Sequence, residues 1–391
     1  MTANPVEEGG FVPLAYPFDK LTELSELASR LPGGMVDLSV GTPCDPPDAE
    51  VVEALGSSGT ERGYPTSLGS DEMRRAAGDW IERRFGVVLD PREELAACVG
   101  TKEFVAGLPQ WLQLRSPGRD TVLYPALAYP TYEMGAVLAR CRAVAVPVLA
   151  DGTMDLAAIT EEDAGRALCL WVNSPGNPAG QLEDLGSVAA WGRDHGVPVF
   201  SDECYVEFTW ANGGRGRSIL EHGTKGVVAL HSLSKRSNLA GLRVGVYAGD
   251  RELVSYLAAI RRHVGLMVPG PVQHAAAIAF GRDDSVTEQR RRYEERLEYL
   301  AGALTKAGIP AVVPDGTFYL WVPAPAGLPG ADSRGRTESP GFRLARLLAE
   351  RAGLIASPGE AYGPSGAGHL RLAVVQPMER LELAGRRLEA S

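Results

Sequence analysis

Residues 231–245 read HSLSKRSNLAGLRVG, and the fold is legible outward from them. The apolar run 227–230 precedes this stretch, so Ser232, Ser234 and Lys235 fall just past the end of a strand, with Arg243 eight residues after the lysine. Two hydroxyls and a guanidinium around one amine suit a site that grips a phosphate while the amine does covalent work. Upstream, VPVFSDECY (197–205) ends a second apolar strand in Asp202, with Tyr205 three residues on. A carboxylate leaving a buried strand needs a positive partner. Earlier still, LWVNSPGNPAG (170–180) ends a third strand in a loop that holds Asn177 between Pro175 and Pro178. Three strand ends that carry a phosphate grip, an acid and an amide describe the ligand-binding edge of an open α/β sheet.

The rest of the chain fits that frame. Short apolar runs at 121–124, 143–148, 167–172, 197–201 and 226–229 alternate with amphipathic stretches, which predicts an α/β fold with a mostly parallel sheet between helices. The spacing of Met73, Ala76, Ala77, Trp80 and Ile81 predicts a helix over 71–85, and 287–306 reads as a long charged helix leading out of the sheet. Strands at 309–313, 317–322 and 369–373 and a helix at 341–352 then predict a smaller α+β unit. The Gly-, Pro- and Ser-rich segment 323–341 reads as a mobile surface loop. The expected division is a large domain over 45–285, with 1–44 and 286–391 forming an N-terminal arm and a small C-terminal domain.

At 391 residues, with 45% hydrophobic and 23% charged side chains, the chain is long enough for two domains and ordinary for a globular protein. A net charge of -10 without a basic run argues against nucleic acid as a partner. Of the 39 basic residues only Lys20, Lys102, Lys225, Lys235 and Lys306 are lysine, so any lysine chemistry must use one of five. Five scattered cysteines indicate neither a disulfide framework nor a zinc knuckle, and six histidines show no metal-ligand spacing. Among them His231 draws notice because it adjoins the phosphate cluster. The first residues lack a basic and an apolar signal region, and no run of about 18 apolar residues occurs, so a cytoplasmic protein without membrane attachment is expected.

The order N-P-x-G, D-E-x-Y, then S-x-S-K with a downstream arginine resembles the fold-type I, pyridoxal-5'-phosphate-dependent class I/II aminotransferases along nearly the whole chain. The resemblance implies a seven-stranded, mostly parallel sheet in the large domain. It implies that Lys235 forms the Schiff base and then moves the substrate's Cα proton, and that Asp202 keeps the pyridine nitrogen protonated. Asn177 and Tyr205 would bond the ring oxygen. Ser232, Ser234, Arg243 and the backbone N–H groups of Thr101 and Lys102 in CVGTKEF would hold the phosphate. Tyr129 in PALAYPTY matches the aromatic stacked on the pyridine, and Tyr64 in GYPTSLG the tyrosine that reaches the neighbouring active site of a homodimer. Arg371 in GHLRLA matches the fork for the substrate α-carboxylate, and Gly41 in DLSVGTP the glycine beside the amino acid.

Stretches such as GTKEFVAGLP, SDECYVEF and GEAYGPSGAGHLRLA are similar to the actinobacterial N-succinyldiaminopimelate aminotransferases. The chain departs from them at VVQP (374–377), at the 323–341 loop, and at Arg236 and Asn238, where small residues are usual. Two chemistries stay open. One is transamination between a dicarboxylic α-amino acid and 2-oxoglutarate or glutamate, with Arg236 or Arg262 as the cation for the distal carboxylate. The other is elimination, replacement or C–C bond formation in specialised metabolism, for instance on S-adenosylmethionine. A cofactor-binding regulator without turnover is the non-enzymatic reading; such regulators carry a DNA-binding module, for which the sequence leaves no room before Phe11.

Overall fold

The computed structural model describes residues 21–328 and 338–390. Twelve strands appear among them: β1 (Val36–Asp37), β2 (Leu95–Cys98), β3 (Thr121–Pro125), β4 (Arg142–Val146), β5 (Ala167–Asn173), β6 (Val199–Asp202), β7 (Val227–Ser232), β8 (Gly245–Gly249), β9 (Tyr319–Pro323), β10 (Leu354–Ile355), β11 (Ser357–Pro358) and β12 (His369–Ala373). Seven of these form one sheet in the order β2-β8-β7-β6-β5-β3-β4. Only β8 runs against its neighbours, pairing antiparallel with both β2 and β7.

Strand alternation assigns the two faces of this sheet. On β7, Val227 and Ala229 join one buried cluster and Val228 and Leu230 the other; Val199 and Phe200 divide in the same way on β6. The first cluster gathers Trp80, Ile81 and Phe85 from the helix Asp71–Phe85 and Val188 and Ala189 from Leu185–Asp194. The second gathers Phe104, Leu108 and Trp111 from Thr101–Arg115, with Leu253 and Leu257 from Arg251–Val264. Burial on both faces is why these strands read as continuous apolar runs.

The helix Asp71–Phe85 has the bounds that its sequence predicts. The Ser70 side chain accepts the Met73 N–H at its start, and Gly86 ends it at φ +72°. The long helix Asp283–Lys306 begins four residues before its expected start. It delivers Leu297, Leu300 and Leu304 to a separate core that also contains Leu21, Leu24, Val36 and Leu38 near one end of the chain and Leu344, Leu370 and Leu388 near the other. There β9, β12 and β11 form a three-stranded antiparallel sheet, and β1 pairs parallel with β10.

The expected strand at 309–313 is not formed. Pro310 and Pro314 bracket the segment, and each lacks a ladder N–H. Val312 is 79% exposed, and the only pairing nearby is an isolated bridge between Thr209 and Gly316. The strand expected at 143–148 stops at Val146, before Pro147. The mobile loop expected at 323–341 is shorter at both ends, since Pro323 closes β9 and Pro340 and Gly341 open the helix Pro340–Ala352; its residues 329–337, and Lys20 and Phe11 on 1–20, lie outside the described residues.

Candidate active site

The C-terminal ends of β5, β6 and β7 carry Asn173, Asp202 and Ser232, side by side in the sheet. From Ser232 the chain enters a single helical turn, Leu233–Arg236, whose first N–H groups include that of Ser234, bonded to Ser232 Oγ at 3.1 Å. Lys235 rides on this turn. Its ammonium donates to the Gly41 carbonyl and stands 6.0 Å from the centre of the Phe318 ring. Burial, reinforced by the positive charges of Arg371 and Arg243 and opposed by Cys204, pulls the Lys235 pKa down to about 8.

Asp202 is buried at the end of β6, which raises its pKa. Tyr132 donates to its Oδ2 at 3.0 Å, and the Cys204 N–H to Oδ1 at 3.3 Å. A buried carboxyl with neutral donors, the Cys204 thiol among them, and no cation fits a ligand that brings a positive N–H of its own. The helix Thr101–Arg115 starts without a side-chain cap, and Thr101 Oγ1 lies 3.1 Å from Cys204 Sγ. A Cβ on Gly100 would collide with the Arg243 guanidinium, so the missing side chain makes room for a cation at the helix's positive end. That arrangement is a cradle for an anion such as a phosphate group.

Arg371, buried on β12, donates to Asn177 Oδ1 at 2.9 Å and to the Ser39 carbonyl at 2.7 Å. Its guanidinium lies 4.1 Å from the ring centre of Tyr319 and 4.8 Å from that of Tyr362. Its Nε is buried without a partner, so three of the five N–H groups are open to a carboxylate. Tyr205 OH pairs with Tyr319 OH at 2.9 Å. Gly41 is packed so closely on the Tyr319 hydroxyl that a Cβ there would overlap it. Tyr129 stacks edge-on against Tyr132, with Lys102 Nζ 5.8 Å from its ring centre.

The structure thus joins Gly41 to Lys235 and Arg371 to Asn177 by direct bonds, and Thr101 to Asp202 through Cys204. Tyr64 lies apart, fully exposed. His231 does not face the phosphate cradle. It points to the opposite side of β7, between Trp80 and Phe85, with Nε2 3.5 Å from Glu203. Burial drops the His231 pKa to about 3 and raises that of Glu203 to about 8, so both are neutral near pH 7.

Neither cation expected for a distal carboxylate suits that task. Arg236 is 3% exposed and bound by Glu207, Asp283 and the Ala279 carbonyl, while Arg262 is exposed on the helix Arg251–Val264. Sequence reasoning missed Tyr132, Tyr319, Tyr362 and Cys204. All lie in stretches whose aromatic or apolar character is what a core also requires. Among the described residues no cluster of His, Cys, Asp and Glu could hold a metal, and no helix is long and apolar enough to cross a membrane.

Comparison with known proteins agrees with this geometry. Residues 33–388 match the family "Aminotransferase class I and II", and the chain belongs to it. It is 39% identical to a probable aminotransferase of Mycobacterium tuberculosis over 95% of this chain and 84% of that one. It is 37% identical to the 4-dedimethylamino-4-oxo-anhydrotetracycline transaminase of Streptomyces rimosus, over 95% and 98%. A solved probable N-succinyldiaminopimelate aminotransferase of Thermus thermophilus superposes with a TM-score of 0.83 at 32% identity, covering 96% of this chain and 100% of that one. The protein is therefore an aminotransferase of fold type I, and pyridoxal phosphate is the cofactor of its family.

Proposed function

We propose that the protein exchanges an amino group between a dicarboxylic α-amino acid, of the N-succinyl-diaminopimelate kind, and 2-oxoglutarate or glutamate. The observation that carries this reading is the pairing of a buried amine of lowered basicity, Lys235, with a buried guanidinium, Arg371, that keeps three N–H groups open. The Thermus neighbour's name supports the substrate class, and the relatives quoted above are all named for amino transfer, which favours it over elimination or replacement.

When bound, pyridoxal phosphate supplies an electron sink for the charge left when the substrate's Cα proton departs. Lys235 Nζ, with a pKa near 8, has a reactive neutral fraction at physiological pH and can then take and return that proton. Asp202 would hold a proton on the ring nitrogen, its own charge compensated by that cation. Asn177 and Tyr205 would donate to the ring oxygen, and Tyr129 would cover the ring. Ser232, Ser234, Arg243 and the N–H groups of Thr101 and Lys102 would hold the phosphate. Arg371 and Gly41 would set the substrate's carboxylate and Cα. We infer further that 45–285 form the cofactor-binding domain, with 1–44 and 286–391 an arm and a smaller domain; the separate core shared by both chain ends supports this. A homodimer in which the exposed Tyr64 completes the partner's site, and a reducing cytoplasmic setting for the five free cysteines, complete the reading.

Lys235→Ala removes the cofactor's visible absorbance and the activity together; an unchanged spectrum refutes the assignment. Glutamate bleaches the wild-type band and yields one 2-oxoglutarate per site. No response to any amino donor, with methylthioadenosine released from S-adenosylmethionine, refutes transamination.

A further inference from the structure

Tyr319 is the first residue of β9, and its side chain is buried. In the β9/β12 register Arg371 faces Trp321, so Tyr319, two residues before Trp321, is the diagonal neighbour of Arg371 on the same sheet face. Its ring supports the Arg371 guanidinium at 4.1 Å, and its hydroxyl meets that of Tyr205 at 2.9 Å. Gly41 closes off the hydroxyl's other side. Either hydroxyl can donate in this pair; with the single Tyr205 O–H given to the cofactor's ring oxygen, as proposed above, the Tyr205 oxygen is left to accept from Tyr319.

We propose that Tyr319 is a positioning residue that couples the two ends of the active site: its hydroxyl orients Tyr205 as a donor, and its ring holds the plane of Arg371 for the substrate carboxylate. The inference rests on the roles given above to Tyr205, Arg371 and Lys235. A hydroxyl that accepts a hydrogen bond is a stronger donor itself. A stronger donor at the cofactor's ring oxygen favours the deprotonated state of the cofactor-loaded enzyme, so the pH midpoint of its visible band reports on Tyr319. Glutarate, a dicarboxylate that cannot react, reports on the grip of Arg371.

The test uses cofactor-loaded wild type, Tyr319→Phe, Tyr319→Leu and Lys235→Ala. Tyr319→Phe keeps the ring: the midpoint rises by about 0.1–0.3 pH unit, the share of one ordinary hydrogen bond that the Tyr205 donor loses when it no longer accepts one, and glutarate affinity stays within about twofold. Tyr319→Leu loses both functions: the midpoint rises as far, and glutarate binds about tenfold more weakly. A Tyr319→Phe midpoint equal to wild type overturns the coupling, as does wild-type glutarate affinity in Tyr319→Leu. If Lys235→Ala keeps the titrating band, the underlying reading of Lys235 fails instead. If the band vanishes there and the Tyr319→Phe midpoint does not move, only the role of Tyr319 is lost. Should Tyr319→Leu not fold, the isosteric Tyr319→Phe decides alone.

Discussion

Arg236→Met separates stability from specificity at the residue beside Lys235. The guanidinium lies 5.3 Å and 5.6 Å from the ring centres of Trp80 and Phe280, donates to the Ala279 carbonyl at 2.6 Å, and reaches Asp283 at 3.2 Å and Glu207 at 3.4 Å. Removing one partner of a buried ion pair costs about 3–5 kcal/mol. Glu207 keeps two other donors, Trp80 Nε1 at 2.9 Å and Arg84 at 2.8 Å, which places the cost at the lower end, about 3 kcal/mol. Methionine fills the aromatic slot, so lost packing adds little. At roughly 1 °C per kcal/mol for a chain of 391 residues, the melting temperature falls by roughly 3–4 °C. Thermal melts of the cofactor-loaded enzyme check the first part. The second is the ratio of KM for glutamate to KM for alanine, which stays at the wild-type value because the side chain is sealed from solvent. An unchanged melting temperature with a tenfold rise in that ratio would place Arg236 in the substrate pocket and refute the argument.

Three other perturbations have defined outcomes. Gly41→Ala forces Tyr319 aside and lowers kcat/KM about a hundredfold, whereas Gly56→Ala, with nothing near its Cβ, leaves it unchanged in the same steady-state assay. Tyr132→Phe strips the hydroxyl donor from Asp202 and leaves those of Cys204, and equilibrium dialysis shows the cofactor binding about tenfold more weakly. For Glu203 the folded pKa is raised from 4.5 to about 8, so its contribution to stability is complete below pH 4.5 and is lost as pH rises to about 8. Glu203→Gln removes that loss: in urea titrations it is more stable than wild type at pH 8.5 and equal to it at pH 4.5, and equal stabilities at both pH values would contradict the buried, neutral acid.

What could be read from the sequence follows from where the physics is local. The helix Asp71–Phe85 announces itself through Ser70, Gly86 and a periodic apolar face, all within one short window. The strands that end in Asn173, Asp202 and Ser232 do so because burial on both faces demands unbroken apolar runs, and polar residues at their ends stand out. The segment 309–313 has the same apolar look, but its prolines and lack of a partner outweigh it. Arg236 misled for the opposite reason: a charge next to a reactive lysine suggests substrate binding, and only tertiary contacts show it locked among carboxylates and rings. Tyr132, Tyr319 and Tyr362 come from distant parts of the chain, so their convergence on Asp202, Tyr205 and Arg371 is a product of folding that no local window contains.

The reversed strand β8 has a further consequence. Because it runs antiparallel to β7, the chain that leaves the sheet at Ser232 re-enters at Gly245 on the same edge. Hydroxyls, amine and guanidinium thus belong to one short tether anchored at both ends in a rigid sheet. Gly41 and Arg371 come from segments embedded in the other core or at its border. The spacing of Lys235 from Ser232, Ser234 and Arg243 is thereby set within one sheet, while the place of Arg371 is set by its own strand β12 and the pairing of that strand with β9 and β11.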